Sequence, residues 1–231
     1  MAFGLEVRNE AGTVLFDTNH FNYALAGVVQ ATASVPTLNG GDWESSIAVG
    51  NSPHPPLVAM QSLTGATPIR CRPLGVSSWL MDVRTKGAGL ITYYPFKRGT
   101  LRTSGFGIQT YDANGDVVYS DADRPLRLLG VITGSDGAAS SFTAKTWTYP
   151  SSKRVAFICC RWAGYRYLRD AGSGFIETAN VICGLRNVND YTLQGVHLKM
   201  WDFTAGSQGT QRYDLTQPNY QFLVVDVTDY D

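Results

Sequence analysis

The chain is poor in charge and contains neither a long apolar run nor a sustained helical pattern. Charged residues make up 16% of its 231 residues, below the roughly 25% that is usual for globular proteins. The formal net charge is zero, which argues against nucleic acid as a partner because phosphate binding needs a basic surface. No apolar run approaches the roughly 20 residues of a transmembrane helix, so the sequence predicts no membrane span.

Histidines and cysteines are few, and they lack the spacing of metal or catalytic motifs. The three histidines stand far apart, and no zinc-ligand, phosphate-loop, dinucleotide or serine-hydrolase signature is present. The sequence therefore predicts no catalytic residue, no metal site, no cofactor and no enzyme activity. We expect the four cysteines to be buried thiols, as is usual in a reducing compartment. A bridge from Cys159 or Cys160 to Cys183 is the alternative.

What the chain does contain is an internal repeat. Residues 3–29 recur without a gap at residues 106–132, and seven of the 27 aligned pairs are identical. Unrelated segments of this length would share about two residues at average composition. The repeat predicts two related β-sandwich modules in tandem, the first at residues 1–103 and the second at residues 104–231.

Each copy of the repeat opens with the pattern of a β-hairpin. Apolar residues alternate with others over residues 3–8, and Gly12 and Gly115 each close a four-residue turn. The second turn, residues 112–116, resembles a calcium loop because oxygen-bearing side chains alternate in it. The first copy keeps the glycine but loses the acidic ligands, which favours a turn over a calcium site.

The remainder of the sequence favours an antiparallel all-β fold. Short apolar runs are separated by Gly, Asn, Asp, Ser and Pro, and the chain holds 24 glycines. Further strands are predicted at Pro56–Gln61, Ser77–Arg84, Gly89–Phe96, Ser141–Tyr149, Arg154–Trp162, Glu177–Arg186, Val196–Phe203 and Tyr220–Thr228. The ends of the two modules also look alike, at Ile91–Phe96 and Leu198–Phe203.

The strongest candidate site is an aromatic and basic segment found only in the second module. In the first module, Leu57–Leu63 leads directly into Thr64–Pro68, so the segment has no counterpart there. The candidate residues are Trp162, Tyr165, Arg166, Tyr167 and Arg169. Rings with interleaved arginines can stack on sugars or contact a partner protein. Two interpretations stay open: a contact surface on a protruding hairpin or loop, or a two-stranded β extension whose rings cover its own apolar face.

The opening motif resembles a family of viral proteins. The pattern F-G-L-x-V-x-N-x-x-G, followed by V-L-F-D and G-V-V, is similar to small proteins encoded among the tail genes of long-tailed bacteriophages and prophages. The resemblance covers residues 3–29 and their echo at 106–132, with a similar ending at Phe222–Val227. It implies a non-enzymatic structural component of the virion, at the tail tip or baseplate, that binds other tail proteins.

The same resemblance implies a location and partners. The start of the sequence lacks a signal-peptide pattern, so we expect synthesis in the host cytoplasm and assembly into the virion tail. We expect either a homo-oligomer that matches the tail symmetry, most simply a trimer, or docking on a larger tail hub. The alternative function is a carbohydrate- or receptor-binding module that recognises a host-surface glycan through its aromatic rings.

Overall fold

The computed structural model describes residues 6–8, 14–17, 23–36, 42–50, 52–98, 109–111, 117–120, 124–135, 141–172, 175–205 and 212–230. The described residues are almost entirely antiparallel β structure with one short 3-10 helix, so the predicted all-β class is confirmed. The strands are β1 (Glu6–Arg8), β2 (Val14–Asp17), β3 (Tyr23–Leu25), β4 (Val29–Ala33), β5 (Val35–Pro36), β6 (Trp43–Val49), β7 (Leu57–Ser62), β8 (Ala66–Gly75), β9 (Ser78–Thr85), β10 (Gly89–Arg98), β11 (Gln109–Tyr111), β12 (Val117–Ser120), β13 (Leu128–Ser135), β14 (Thr146–Thr148), β15 (Val155–Arg161), β16 (Gly164–Gly172), β17 (Phe175–Asn189), β18 (Thr192–Ala205), β19 (Arg212–Gln217) and β20 (Asn219–Asp226).

The hairpins predicted at the start of each repeat are both present, and they share one register. Val7 pairs with Phe16 in the β1–β2 hairpin, and Thr110 pairs with Tyr119 in the β11–β12 hairpin. In each hairpin the pairing register then shifts, between Val7 and Arg8 in the first and between Thr110 and Tyr111 in the second. The two hairpins are therefore equivalent at the constant offset of 103 residues. The turns themselves, including the calcium-like residues 112–116, lie outside the described residues.

The duplication also determines the strand order of two larger sheets, which we call sheet I and sheet II. In sheet I, the order β4-β10-β7 from the first half meets β15-β20-β13 from the second half, with β3 also paired to β10. In sheet II, β6-β9-β8 meets β17-β18-β14, with β5 beside β6. Both orders are symmetric about the place where the two halves meet, so corresponding strands of the two halves lie the same number of strands away from it.

The two halves meet edge to edge in both sheets. Phe157 of β15 pairs with Met60 of β7 in sheet I, and Leu185 of β17 pairs with Ala66 of β8 in sheet II. We call these two strand pairs the junction. The module boundary at residue 103 remains a prediction, but strands from either side of it share two sheets.

The main core lies between the two sheets and draws on both halves. Strands of sheet I alternate, so Met60 and Phe157 face this core while Ala59 and Ile158 face the opposite side. The opposite side is a second core that contains Tyr94 and other buried residues. Because both faces of the central strands β7, β10 and β15 are buried over most of their length, these strands are nearly continuous apolar runs without polar alternation.

A short segment closes the second core. Residues 124–127 hydrogen-bond to β3 on one side, through Leu25 N to Arg124 O at 2.8 Å, and to β20 on the other, through Asp226 N to Arg127 O at 2.9 Å. Residues 124–127 therefore bridge β3, at one end of sheet I, and β20, near its other end. Tyr230 packs inside, where its ring lies 5.8 Å from that of Phe96.

Two sequence predictions are corrected here. Ser141–Tyr149 is not one strand, because Ser141–Ala144 is a 3-10 helix and only Thr146–Thr148 forms β14. The turn points Phe142 into the main core, where its ring lies 4.7 Å from that of Tyr220. The likeness of Ile91–Phe96 to Leu198–Phe203 also does not mark equivalent strands. The first belongs to β10 in sheet I and the second to β18 in sheet II.

Candidate functional site

The aromatic and basic segment forms a strand within sheet II. It is β16, which pairs with β17 on one side and with β19 on the other. β16 and β17 form an antiparallel hairpin, as one of the two expectations required, and the other edge of β16 is covered by β19, so the segment is not a loop. The other expectation, a β extension, matches the observed secondary structure, although it has more than two strands.

The extension comprises four neighbouring strands in the order β18-β17-β16-β19. Its members β16 and β19 are additions to the second half: β15 leads into β16 before β17, whereas in the first half β7 leads directly into β8. The two central strands, β17 and β18, are 15 and 14 residues long, longer than every other described strand. We use the name extension for β16, β19 and the parts of β17 and β18 paired beside them.

The three predicted site residues whose side chains the structure describes, Trp162, Tyr165 and Arg166, do not share one surface. Tyr165 is half-buried, and its ring lies 5.9 Å from that of His197 in an edge-to-face arrangement. His197 is itself buried, and it stacks on Phe142 of the main core. Arg166 is exposed. The backbone of Tyr167 and Arg169 belongs to β16, while their side chains lie outside the described residues.

Trp162 lies apart from these residues, in the short connection between β15 and β16. Its side chain is 37% exposed, and its ring packs over Gly164, where a Cβ atom would come within 2.7 Å of the indole Cζ3. A glycine is therefore needed for this close approach, and it holds the ring against the start of β16. The connection thus presents a partly exposed indole in a defined position.

Trp162 borders a cleft of about 490 Å³ at the junction of the two halves. The cleft opens where β8 and β16 diverge, since β16 pairs with β17 up to Ile182 and β8 meets β17 only at Leu185. The cleft is lined by Pro68, Ile69, Arg70, Cys71, Cys159, Cys160, Arg161, Trp162 and Gln217. Residues from both halves therefore form its walls, which a single module could not supply.

Arg161 also lines a second cleft, of about 460 Å³, on its other side. That cleft lies along the ends of β13 and β20, where Ser135 and Asn219 pair. Cys159 pairs with Phe222 and Arg161 with Gln221, so Cys160 is an extra residue in β15. This bulge changes the direction of the end of β15, and Arg161 lies between the two clefts.

The arginines around the cleft differ in their ion pairing. Arg70 donates from Nε to Asp82 at 2.8 Å, and Arg72 lies 3.6 Å from the same carboxylate. Burial pushes the pKa of Asp82 upward, but hydrogen bonds from Ser46 and Arg70 outweigh it, so the pKa is lowered. Asp82 is therefore ionised and pairs with both arginines, and its one negative charge balances one of their two positive charges. No described acidic residue pairs with Arg161, which leaves its charge available at the cleft.

The cysteines are free thiols, and no disulfide forms among them. The expectation that all four are buried is wrong for Cys71 and Cys160, which are exposed. Neighbouring residues of a strand point to opposite faces, so Cys159 turns toward Thr67 while Cys160 turns outward. Burial raises the pKa of the Cys159 thiol to about 12 and also raises the pKa of Cys71 and Cys160. A raised pKa disfavours the thiolate, so none of the three is activated as a nucleophile.

Two further searches bear on the site. Within the part of the chain that the structure describes, no three histidine, cysteine or acidic side chains come together as metal ligands. The described residues also include no helix with the length and apolar character needed to cross a membrane.

The comparisons with known proteins find no counterpart to this chain. No family model matches it, and neither a curated protein nor a solved structure matches it.

Sequence reasoning singled out Trp162 as part of a candidate binding surface, and the structure places it beside the cleft, but its neighbours in space were missed. Arg70 and Gln217 lie far from it in the sequence and reach the cleft only through the meeting of β8, β15 and β19. The sequence contains a weak signal for the position of Arg70. The run Ile69–Pro73 alternates arginines with other residues in a strand bounded by prolines, which is typical of an exposed edge.

Proposed function

We propose that this chain is a non-enzymatic structural protein of a bacteriophage virion, located at the tail tip or baseplate and bound to other tail proteins. The observation that carries the proposal is the extension, because β16 and β19 are present in one half and absent from the other. A fold built from two equivalent halves does not need these strands. Structure added to one copy alone is best explained by a role outside the fold, and contact with a partner protein is such a role.

The extension offers a suitable contact surface. Among the described strands, β19 pairs only with β16, so its other edge carries unpaired backbone groups. A strand of a partner protein can pair with such an edge through its main chain, and this mode of binding is common in protein assembly. The residues of β19 include no proline to block the pairing. Low overall charge also suits a surface that is covered in an assembly.

The decisive experiment is to image purified virions produced with and without the gene. Loss of tail assembly, restored when the full chain is supplied in trans, supports the structural role. Normal tails that still adsorb to host cells would contradict it. The proposed trimer, or a monomer docked on a larger hub, is separated by measuring the mass of the isolated chain in solution.

A second candidate function is recognition of a host-surface glycan. The observation that favours it is the cleft beside Trp162, since a partly exposed indole next to an arginine with no acidic partner among the described residues suits a sugar ligand better than a flat surface does. The same particles distinguish the two candidates. Virions that assemble normally but fail to adsorb to the host would support glycan recognition.

A further inference from the structure

We propose that the cleft at the junction binds a sugar that carries a carboxylate, with the carboxylate on Arg161 and the sugar ring against Trp162. This inference deepens the second candidate function, glycan recognition, and rests on it. It names the chemical class of ligand and the two side chains that recognise it.

The charge of Arg161 supplies the first argument. Among the described residues, its guanidinium has no acidic partner, whereas Arg70 and Arg72 both lie beside the Asp82 carboxylate. Among the described residues, no Asp or Glu lines either of the two clefts that Arg161 borders. The described lining of both clefts is therefore positive or neutral, and a guanidinium binds a carboxylate through two parallel hydrogen bonds.

The position of Trp162 supplies the second argument. Its ring packs on Gly164, where the absence of a Cβ atom leaves room for the indole. A ring that is already ordered loses little conformational entropy when a ligand stacks on it. Gln217, at the opposite wall, adds an amide that can donate to or accept from a hydroxyl group.

The edge of β8 indicates a compact ligand rather than a peptide strand. Beyond Ala66, the described part of β8 has no strand partner on the side of the cleft, so its edge is open there. Pro68 and Pro73 interrupt this strand, each at a bulge or irregularity in its pairing with β9. Prolines lack the backbone donor that strand addition needs. Recognition in the cleft must therefore use side chains, and about 490 Å³ accommodates a sugar residue.

The test compares two probes that differ only at the sixth carbon, methyl β-D-glucuronide and methyl β-D-glucoside. Isothermal titration calorimetry of the purified full chain should show saturable binding of the glucuronide, with the glucoside weaker by about tenfold or more, since a hydrogen bond to a charged group is lost. Arg161→Gln should remove this preference. Trp162→Ala should weaken both probes together, and Trp162→Phe should restore part of the loss.

Arg186→Gln is the matched control, because Arg186 is an exposed arginine that bonds Gln194 at 2.9 Å and lines neither cleft. It should bind both probes like the unmodified chain. The proposal fails if the glucuronide shows no saturable binding, if the glucoside binds equally well, or if acetate binds as tightly as the glucuronide. It also fails if Arg161→Gln leaves the preference intact. These measurements use the isolated chain, so their failure is distinct from a failure of tail assembly or host adsorption in the virion experiment.

Discussion

The junction between the two halves depends on one buried amide, and its removal is the sharpest test of the fold. Asn187 of β17 is buried and accepts a hydrogen bond from the Ser62 backbone N–H at 3.1 Å. Its Nδ2 donates to the Val155 carbonyl at 2.8 Å. The amide therefore connects sheet II to a strand of each half in sheet I. We predict that Asn187→Ala will be among the most destabilising polar substitutions in the chain.

The magnitude follows from what each partner loses. The Ser62 N–H would be left buried without an acceptor, which costs about 1–3 kcal/mol. The Val155 carbonyl would keep its second hydrogen bond, from Gln61 Nε2 at 2.9 Å, so the loss there is about 0.5–1.5 kcal/mol. The sum is about 1.5–4.5 kcal/mol in the free energy of unfolding. For a chain of this length, that corresponds to a fall of about 3–18 °C in Tm.

Chemical denaturation monitored by tryptophan fluorescence measures this quantity. The control is Asn180→Ala, on the same strand but exposed, which should change stability by no more than about 0.5 kcal/mol. Asn187→Asp gives a second check, because a buried carboxylate can accept from Ser62 but cannot donate to Val155 until it is protonated. Its deficit relative to the unmodified chain should shrink as the pH falls. If Asn187→Ala unfolds at the same denaturant concentration as Asn180→Ala, the amide does not join the halves as described.

Three more predictions test packing and charge. Gly184→Ala should cost more than about 2 kcal/mol, since its Cβ would lie 2.5 Å from a backbone oxygen of the first half; Gly75→Ala, where nothing lies within 4 Å, should be nearly neutral in the same melt. Tyr165→Ala should cost about 3 kcal/mol through lost packing, and Trp162→Ala should cost less than half as much, so equal drops in Tm would refute their different burial. Burial by itself would raise the pKa of Asp226. Hydrogen bonds from Thr228 and Lys153 and the charge of Arg127 outweigh burial and lower this pKa to about 2. Stability from this carboxylate, about 2–3 kcal/mol, is present above about pH 4 and is lost as the pH falls toward 2; Asp226→Asn should abolish that part of the pH dependence in acid titrations followed by circular dichroism.

The central strands of sheet I were predictable because buried apolar residues follow one another directly in their sequences. Leu57–Ser62, Gly89–Arg98, Val155–Arg161 and Asn219–Asp226 each overlap a predicted strand within a residue or two at most of their ends. Strands with mixed or exposed faces were missed, among them β8 and β19, because an edge strand needs no apolar run. Ser141–Ala144 was assigned to a strand because a buried aromatic residue looks the same in a strand and in a 3-10 turn.

The candidate site was only partly predictable for a related reason. Trp162 stood out because aromatic and basic residues cluster around it in the sequence. Nothing in that cluster told which rings face inward, and the structure places Tyr165 against buried His197 while Trp162 borders the cleft. The opposite wall of the cleft comes from β8, about 90 residues earlier in the chain, so no local pattern could have supplied it.

By itself, the sequence determined the all-β class, the duplication and the two opening hairpins, because strand periodicity and turn chemistry are local properties. Only the tertiary structure decided how the copies combine. The symmetric strand orders, the shared core and the cleft at the junction arise from pairing between β7 and β15 and between β8 and β17. Backbone hydrogen bonds between strands do not depend on which side chains the strands carry. A sequence that specifies two related halves therefore does not specify whether the edges of these halves pair with each other.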